Sequence, residues 1–145
     1  IEADPDKVDH IRLTNIDGET ALHLASELKN PDIVTKLIEV DPDKVDHIRL
    51  TNTDGETALH LASNSNNLKI VTALVTADSD AVNHICLTTK DGKTAHDLAL
   101  NNDIKKYIND KNKECINKTG GYVPLKYIIN YISNKNTHYP FLLNL

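Results

Sequence analysis

An internal repeat of 37 residues is the feature that most constrains the fold of this chain. Gly18, Gly55 and Gly92 are separated by 37 residues and then by 37 again. Residues 14–50 and 51–87 are identical at 23 of 37 positions. A fixed period of this length predicts a row of stacked supersecondary units, each of which buries its apolar face against its neighbours.

The repeat extends to both ends of the chain. Residues 1–13 differ from 38–50 at one position only, so the chain is expected to enter in the middle of a unit. The absence of Met supports the expectation that it is a piece of a longer protein. The predicted organisation is the end of a preceding repeat at 1–13, whole repeats at 14–50 and 51–87, a shortened repeat at 88–118, and a degenerate capping repeat or separate C-terminal helical segment at 119–145.

Each unit contains signals for two short helices. In the first unit the turn dipeptide Asp17-Gly18 precedes Thr20, whose hydroxyl can cap a helix N-terminus. The following TALHLAS run has Ala and Leu at helical spacing, and Asn30-Pro31 predicts the start of a second helix. Helices of about eight to ten residues are unstable alone in water, so they require stacked neighbours.

The TALHLA runs at 20–25 and 57–62 resemble the T-P-L-H-x-A signature of the ankyrin repeat. This resemblance implies an all-α solenoid of helix-turn-helix units with short hairpin fingers. Ala21 and Ala58 replace the family's Pro, and the period is about four residues longer than the family's. The extra residues fall in the DPDKVDHIRL stretch, which we interpret as a lengthened hairpin or an extra turn after the second helix. In the third unit we interpret the turn between the helices as about three residues shorter.

The recurring histidines are expected to be structural. A metal ion needs ligands that converge within a few ångströms, whereas equivalent residues of stacked units lie on the order of 10 Å apart. An imidazole that bonds the backbone of a neighbouring turn is the simpler role, and the resemblance implies the same for the TALHLA histidines. They are His23 and His60 in these runs, with His10, His47 and His84 between the repeats.

No other pattern predicts catalysis or a cofactor. Asp41, Asp43 and Asp46 lack the Gly and the closing Glu of an EF-hand, so a solvated, capped turn is expected. Cys86 stands where the two preceding units have Arg, which does not indicate a nucleophile. The sequence therefore predicts a protein that is not an enzyme, with no catalytic, cofactor-binding or metal-binding residues.

Another protein is the predicted partner. A net charge of -5 argues against nucleic-acid binding, and no apolar stretch is long enough for membrane insertion. The resemblance implies a concave binding face formed by the finger tips and the first-helix side. Positions at which the units differ fall there, with Ile16 and Leu28 as apolar anchors. The candidate partner-binding residues are Ile16, Glu27, Leu28, Lys29, Thr53, Asn64, Ser65, Asn66 and Lys90.

Three functional hypotheses remain open at this point. The chain is a recognition module of a larger cytoplasmic protein, including a pathogen or symbiont effector delivered into a host cell. Alternatively, it is an adaptor that recruits ubiquitin-ligase machinery through an F-box-like segment at 123–129, or the regulatory domain of an enzyme whose catalytic part lies outside the chain. The abundance of Asn, Ile and Lys predicts an AT-rich genome, and two cysteines favour a reducing setting.

Overall fold

The computed structural model describes residues 10–118, which form an all-α stack of helix pairs. Residues 1–9 and the predicted capping repeat at 119–145 lie outside the described part of the chain. The helices, in chain order, are α1 Ala21–Glu27, α2 Pro31–Val40, α3 Lys44–Ile48, α4 Ala58–Asn64, α5 Leu68–Ala77, α6 Ala81–Ile85, α7 Ala95–Leu98 and α8 Asn102–Lys118.

The predicted capping residues begin the paired helices. Thr20, Thr57 and Thr94 occupy the N-cap positions of α1, α4 and α7. The side-chain oxygen of Asn30 accepts a hydrogen bond from the Ile33 amide at 3.2 Å, with Pro31 as the first helical residue. These residues satisfy amide groups that a helix cannot satisfy internally, so the start of each helix is encoded locally.

The three helix pairs pack side by side around one continuous core. Helix α1 packs on α4, and α4 packs on α7; α2 packs on α5 in the same way. The middle pair has neighbours on both sides, so Leu59, Ile70, Val71 and Leu74 are fully buried. Burial of this kind stabilises the fold by about 1.5–3 kcal/mol for each large aliphatic side chain, which helices of this length need.

The third pair is shortened in its first helix, not in the turn between its helices. Helix α7 has four residues, whereas α1 and α4 have seven each. Three residues join the two helices in every pair, at 28–30, 65–67 and 99–101. The expectation of a shorter turn was therefore wrong. The second helix of the third pair begins 34 residues after the preceding one instead of 37, and this difference alone could not reveal which element lost the residues.

The additional residues of the long period form an extra helical turn. Helices α3 and α6, of five residues each, lie between one pair and the next finger. This decides between the two interpretations of the DPDKVDHIRL stretch in favour of the extra turn. The fingers themselves are tight turns with a single isolated bridge, Thr88 with Thr94, and no strand occurs within residues 10–118.

Successive fingers are joined backbone to backbone. The Thr53 amide donates to the Asp17 carbonyl at 2.9 Å, and the Lys90 amide donates to the Asp54 carbonyl at 2.9 Å. Gly55 has a φ of +75°, and a Cβ placed on it would lie 2.9 Å from the Lys90 nitrogen. Glycine is thus required there twice, for its left-handed backbone and for the close approach of the next finger.

We expect Gly55→Ala to destabilise the chain by more than Gly92→Ala. Both glycines have a left-handed φ, +75° and +74°, which costs about 1–2 kcal/mol for a residue with a Cβ. Within residues 10–118 a Cβ on Gly55 would lie 2.9 Å from the Lys90 nitrogen of the next finger, so the Gly55 variant must also push that neighbour away. Urea unfolding followed by circular dichroism measures both, and equal losses would contradict the close approach.

Candidate interaction surface

The structure aligns three of the predicted site residues along the finger tips. Ile16, Thr53 and Lys90 occupy equivalent positions 37 residues apart, and all three are exposed. The inter-finger hydrogen bonds from the Thr53 and Lys90 amides fix their backbones side by side. We call these residues the tip row; it changes from an apolar to a polar to a cationic side chain along the stack.

The other six predicted residues lie at the ends of the first helices. Among these six, Leu28 is 77% exposed. In the first unit only Ile16 of the tip row, at 95%, is a more exposed large apolar side chain. The Ser65 hydroxyl approaches the Glu27 carbonyl at 3.3 Å, so the two helix ends are adjacent. We call this set the turn row, namely Glu27, Leu28 and Lys29 in the first pair and Asn64, Ser65 and Asn66 in the second.

Half of the turn row also has a structural task. Lys29 and Asn66 adopt left-handed φ values of 59° and 63° just beyond their helices, and each is followed by a capping bond, such as Asn30 amide to Ala25 carbonyl at 3.0 Å. The Ser65 hydroxyl donates to the Leu61 carbonyl at 2.6 Å. Glu27, Leu28 and Asn64 are therefore the members whose exposed side chains are least engaged in the fold.

Buried imidazoles connect each first helix to the next finger. The Nδ1 atom of His23 accepts a hydrogen bond from the Thr20 amide at 3.1 Å, which leaves the ring proton on Nε2. Nε2 then donates to the carbonyl of Leu50 at 3.0 Å, at the end of the same unit, and to that of Glu56 at 3.1 Å, in the finger of the following unit. We call this contact the imidazole bridge; it confirms the expected structural role of His23.

His60 forms the second imidazole bridge in the same manner. It accepts from the Thr57 amide at 3.1 Å and donates to the Leu87 carbonyl at 3.0 Å. The third pair departs from this pattern because Asp97 holds the corresponding position and accepts from the Thr94 amide at 3.0 Å. A carboxylate performs the capping half of the task but has no N–H for a following unit.

A buried carboxylate forms a second link between units. The side chain of Asp41 is fully buried and lies 2.7 Å from both Arg12 Nη2 and His47 Nδ1. It also accepts from the Asp43 amide at 2.9 Å. The expectation of a solvated turn was therefore wrong for Asp41, although Asp43 and Asp46 are exposed. We call the arrangement of Arg12, Asp41 and His47 the seam cluster.

The seam cluster recurs one unit later. Arg49 Nε donates to Asp78 at 2.8 Å, and His84 Nδ1 lies 3.4 Å from the same carboxylate. The signal was present in the sequence, because Arg12 and Asp41, like Arg49 and Asp78, are 29 residues apart. It was missed because an Asp after a helix usually caps a solvated turn, and sequence patterns do not report burial.

Burial sets the protonation of these groups. It lowers the pKa of His84 to about 4, and it lowers the pKa of His23, His47 and His60. Burial alone raises the pKa of Asp41, but hydrogen bonds from Arg12 and the Asp43 amide outweigh it and hold this pKa below its ordinary value. The histidines are thus neutral and the carboxylate charged in the native state at pH 7.

Within residues 10–118 there is no group of three His, Cys, Asp or Glu side chains arranged to hold a metal ion. None of the described helices has the length and apolar character needed to cross a membrane. Of the nine predicted partner-binding residues, all but Ser65 are exposed.

We expect Lys29→Gly to stabilise the protein by about 0.5–1 kcal/mol. Glycine adopts the left-handed conformation at this position without a steric penalty, and its greater freedom in the unfolded chain offsets part of the gain. Asn66→Gly should gain less, because Asn tolerates this conformation better than Lys. Thermal unfolding of both variants tests this order; a Lys29→Gly variant that is less stable than the parent would contradict it.

Stability should fall as the pH is lowered from 7 toward 4. The four buried histidines have lowered folded-state pKa values, so between about pH 4 and 6.5 the unfolded chain binds more protons than the folded one. Each histidine contributes a slope of up to about 1.4 kcal/mol per pH unit in that window. His84→Gln should reduce the slope by one histidine's share. Urea unfolding at several pH values measures the slope; equal slopes for the parent and the variant would contradict this account.

The comparisons with known proteins agree with this architecture. The family model described as ankyrin repeats (3 copies) matches residues 22–120, about two thirds of the chain. The comparison with curated proteins gives no match. Repeats of this family generally mediate protein–protein interaction and are typically non-catalytic. The helix pairs, the aligned fingers and this match together establish that the chain belongs to the ankyrin repeat family.

Proposed function

We propose that this chain is a protein-recognition module that binds its partner through the tip row and the turn row, which together correspond to the concave face of ankyrin proteins. The observation that carries the proposal is the alignment of the finger tips. Backbone hydrogen bonds at 2.9 Å hold successive fingers in register, while the side chain at each tip differs. A rigid scaffold that presents different side chains in a row loses little conformational entropy on binding.

Binding energy is expected to concentrate in the first unit. Ile16 and Leu28 are apolar and highly exposed, so neither side chain is part of the core. Interfaces typically depend on a few such anchors, each surrounded by polar contacts that exclude water. Glu27 and Asn64 supply polar contacts beside Leu28, and Lys90 adds a positive charge at the opposite end of the tip row. The partner we propose therefore offers an apolar patch bordered by polar and charged groups.

We further propose that the module acts inside cells as part of a larger protein, with the effector form as one case. The adaptor alternative depends on residues 123–129, which lie outside the described part of the chain. The regulatory alternative requires a catalytic domain elsewhere on the polypeptide. Identification of the bound partner separates these cases, because ubiquitin-ligase subunits would favour the adaptor.

The test is affinity capture from eukaryotic cell lysate with three matched baits. One is the parent chain, the second carries Ile16→Ser and Leu28→Ser, and the third carries Leu13→Ser and Val40→Ser. The third bait is the control, because Leu13 and Val40 are also exposed apolar residues, at 65% and 50%, but lie outside both rows. Circular dichroism must first establish that all three baits are folded.

We expect a partner that the parent and control baits retain and the row variant loses. With that partner purified, titration calorimetry should give a dissociation constant at least roughly tenfold weaker for the row variant than for the control, since each anchor contributes more than about 1 kcal/mol. A partner bound equally by all three baits would place the contact on another surface and refute the proposal.

A further inference from the structure

The side of the first helix pair that faces away from the second pair is apolar, and none of residues 10–118 covers it. We call it the N-face, and it consists of Ala21, Leu24, Ile33 and Leu37. Leu24 is 38% exposed and Ile33 is 49% exposed, although both belong to helices whose other sides are buried. A contiguous apolar face of this kind is unusual on the solvent-exposed surface of a folded protein, and it indicates that another element packs there.

The second helix pair identifies what covers such a face. The residues 37 positions further on are Ala58, Leu61, Ile70 and Leu74, and they are buried by the first pair. Ile70 is 0% exposed where Ile33 is 49% exposed, and Leu61 is 7% exposed where Leu24 is 38% exposed. All four residue types are the same in the two units. The N-face therefore carries the side chains that pack against a preceding unit, in the same helical register.

The opposite end of the stack differs in chemistry. Leu22, His23, Val34 and Ile38 are buried in the first pair, and the second pair has Leu, His, Val and Val at these places. Alignment on the N-cap residues Thr94 and Asn101 places polar side chains at all four positions in the third pair. These side chains are partly or fully exposed, and they are His96, Asp97, Lys105 and Asn109.

The two ends of the described stack therefore differ in polarity. Terminal repeats of a solenoid need a polar outer face for solubility. The third pair has such a face, and Asp97 cannot form the imidazole bridge to a following unit. The first pair lacks a polar face and retains the apolar one.

The groups that join the later units to one another are also present at the N-terminal end of the stack. Arg12 ends a segment whose sequence matches residues 38–50, and it already pairs with Asp41 at 2.7 Å, as Arg49 does with Asp78. The Ile16 amide holds the position from which the Thr53 amide donates to the preceding finger. A preceding unit would thus accept a hydrogen bond from the Ile16 amide, as the Asp17 carbonyl does from the Thr53 amide, and it would lie on the N-terminal side of the Arg12–Asp41 pair.

We propose that the N-face is a stacking surface for a further helix-turn-helix unit of the same 37-residue kind on the same polypeptide. The occupant presents Leu, His, Val and Ile at the positions of Leu22, His23, Val34 and Ile38. The tip row then extends by one finger beyond Ile16. The proposal does not depend on which protein the rows bind.

The test extends the chain by one unit. Placing a copy of residues 14–37 directly before Ile1 completes a unit in register, because residues 1–13 repeat residues 38–50. We expect the midpoint of thermal unfolding to rise by several degrees or more relative to the parent, since one apolar interface is added. The matched control carries the third pair's residues in the added copy, with Leu22→His, His23→Asp and Val34→Lys, and should give no rise.

A point variant provides an independent readout. Ile33→Ser at the original position should change the unfolding equilibrium constant of the 145-residue chain by less than roughly fivefold, because half of that side chain is exposed. In the extended chain the same substitution should change it by roughly 100-fold or more, as expected for a buried isoleucine.

Three results would overturn the proposal. The extended chain and its control could unfold at the same midpoint, or Ile33→Ser could have equal effects with and without the added unit. Sedimentation equilibrium of the parent chain could also reveal a dimer that Ile33→Ser dissociates, in which case the N-face belongs to a second copy. Loss of partner binding in the row variant affects none of these measurements, so the two proposals fail separately.

Discussion

The imidazole bridge is the interaction on which the rest of this structure depends. A seven-residue helix cannot persist by itself, and the bridge fixes its first turn and the next finger with one side chain. His23 does so by accepting at Nδ1 and donating at Nε2, which requires the neutral tautomer. Because the ring is buried, it is neutral, and only the neutral ring can accept at Nδ1 while it donates at Nε2. The scaffold is consequently a set of short elements, each of which is ordered by its neighbour.

The seam clusters form a second link between adjacent units. Asp41 and Asp78 are buried carboxylates, and such charges destabilise a fold unless they are paired and hydrogen bonded. Each has an arginine, a histidine and a backbone amide around it. At the boundary between the second and third units, Cys86 stands where Arg12 and Arg49 stand. Alignment of the second helix of the third unit places Asn112 where Asp41 and Asp78 stand. The charge of both partners is thus lost together, which avoids an unpaired buried ion.

Much of the fold could be predicted because its signals are local and repeated. The 37-residue period, the threonine caps and the Asn30-Pro31 start all concern neighbouring residues, and the structure has each where the sequence indicated it. The positions of the tip row were predictable for the same reason, because their residues differ between units whose following Asp-Gly turn is identical. Their role in binding remains a prediction, because it depends on a partner and not on this chain alone.

The features that the sequence did not reveal are those decided by packing. Burial of Asp41 depends on an arginine 29 residues earlier, and shortening of α7 became visible only when both ends of each helix were known. The fixed 29-residue separation of Arg12 from Asp41 and of Arg49 from Asp78 has a genetic consequence. A recombination event that duplicates or deletes one whole unit leaves every such pair intact, whereas an insertion of a few residues between the partners breaks one. The gene can therefore change length safely only in steps of a full unit, and selection would favour steps of that size.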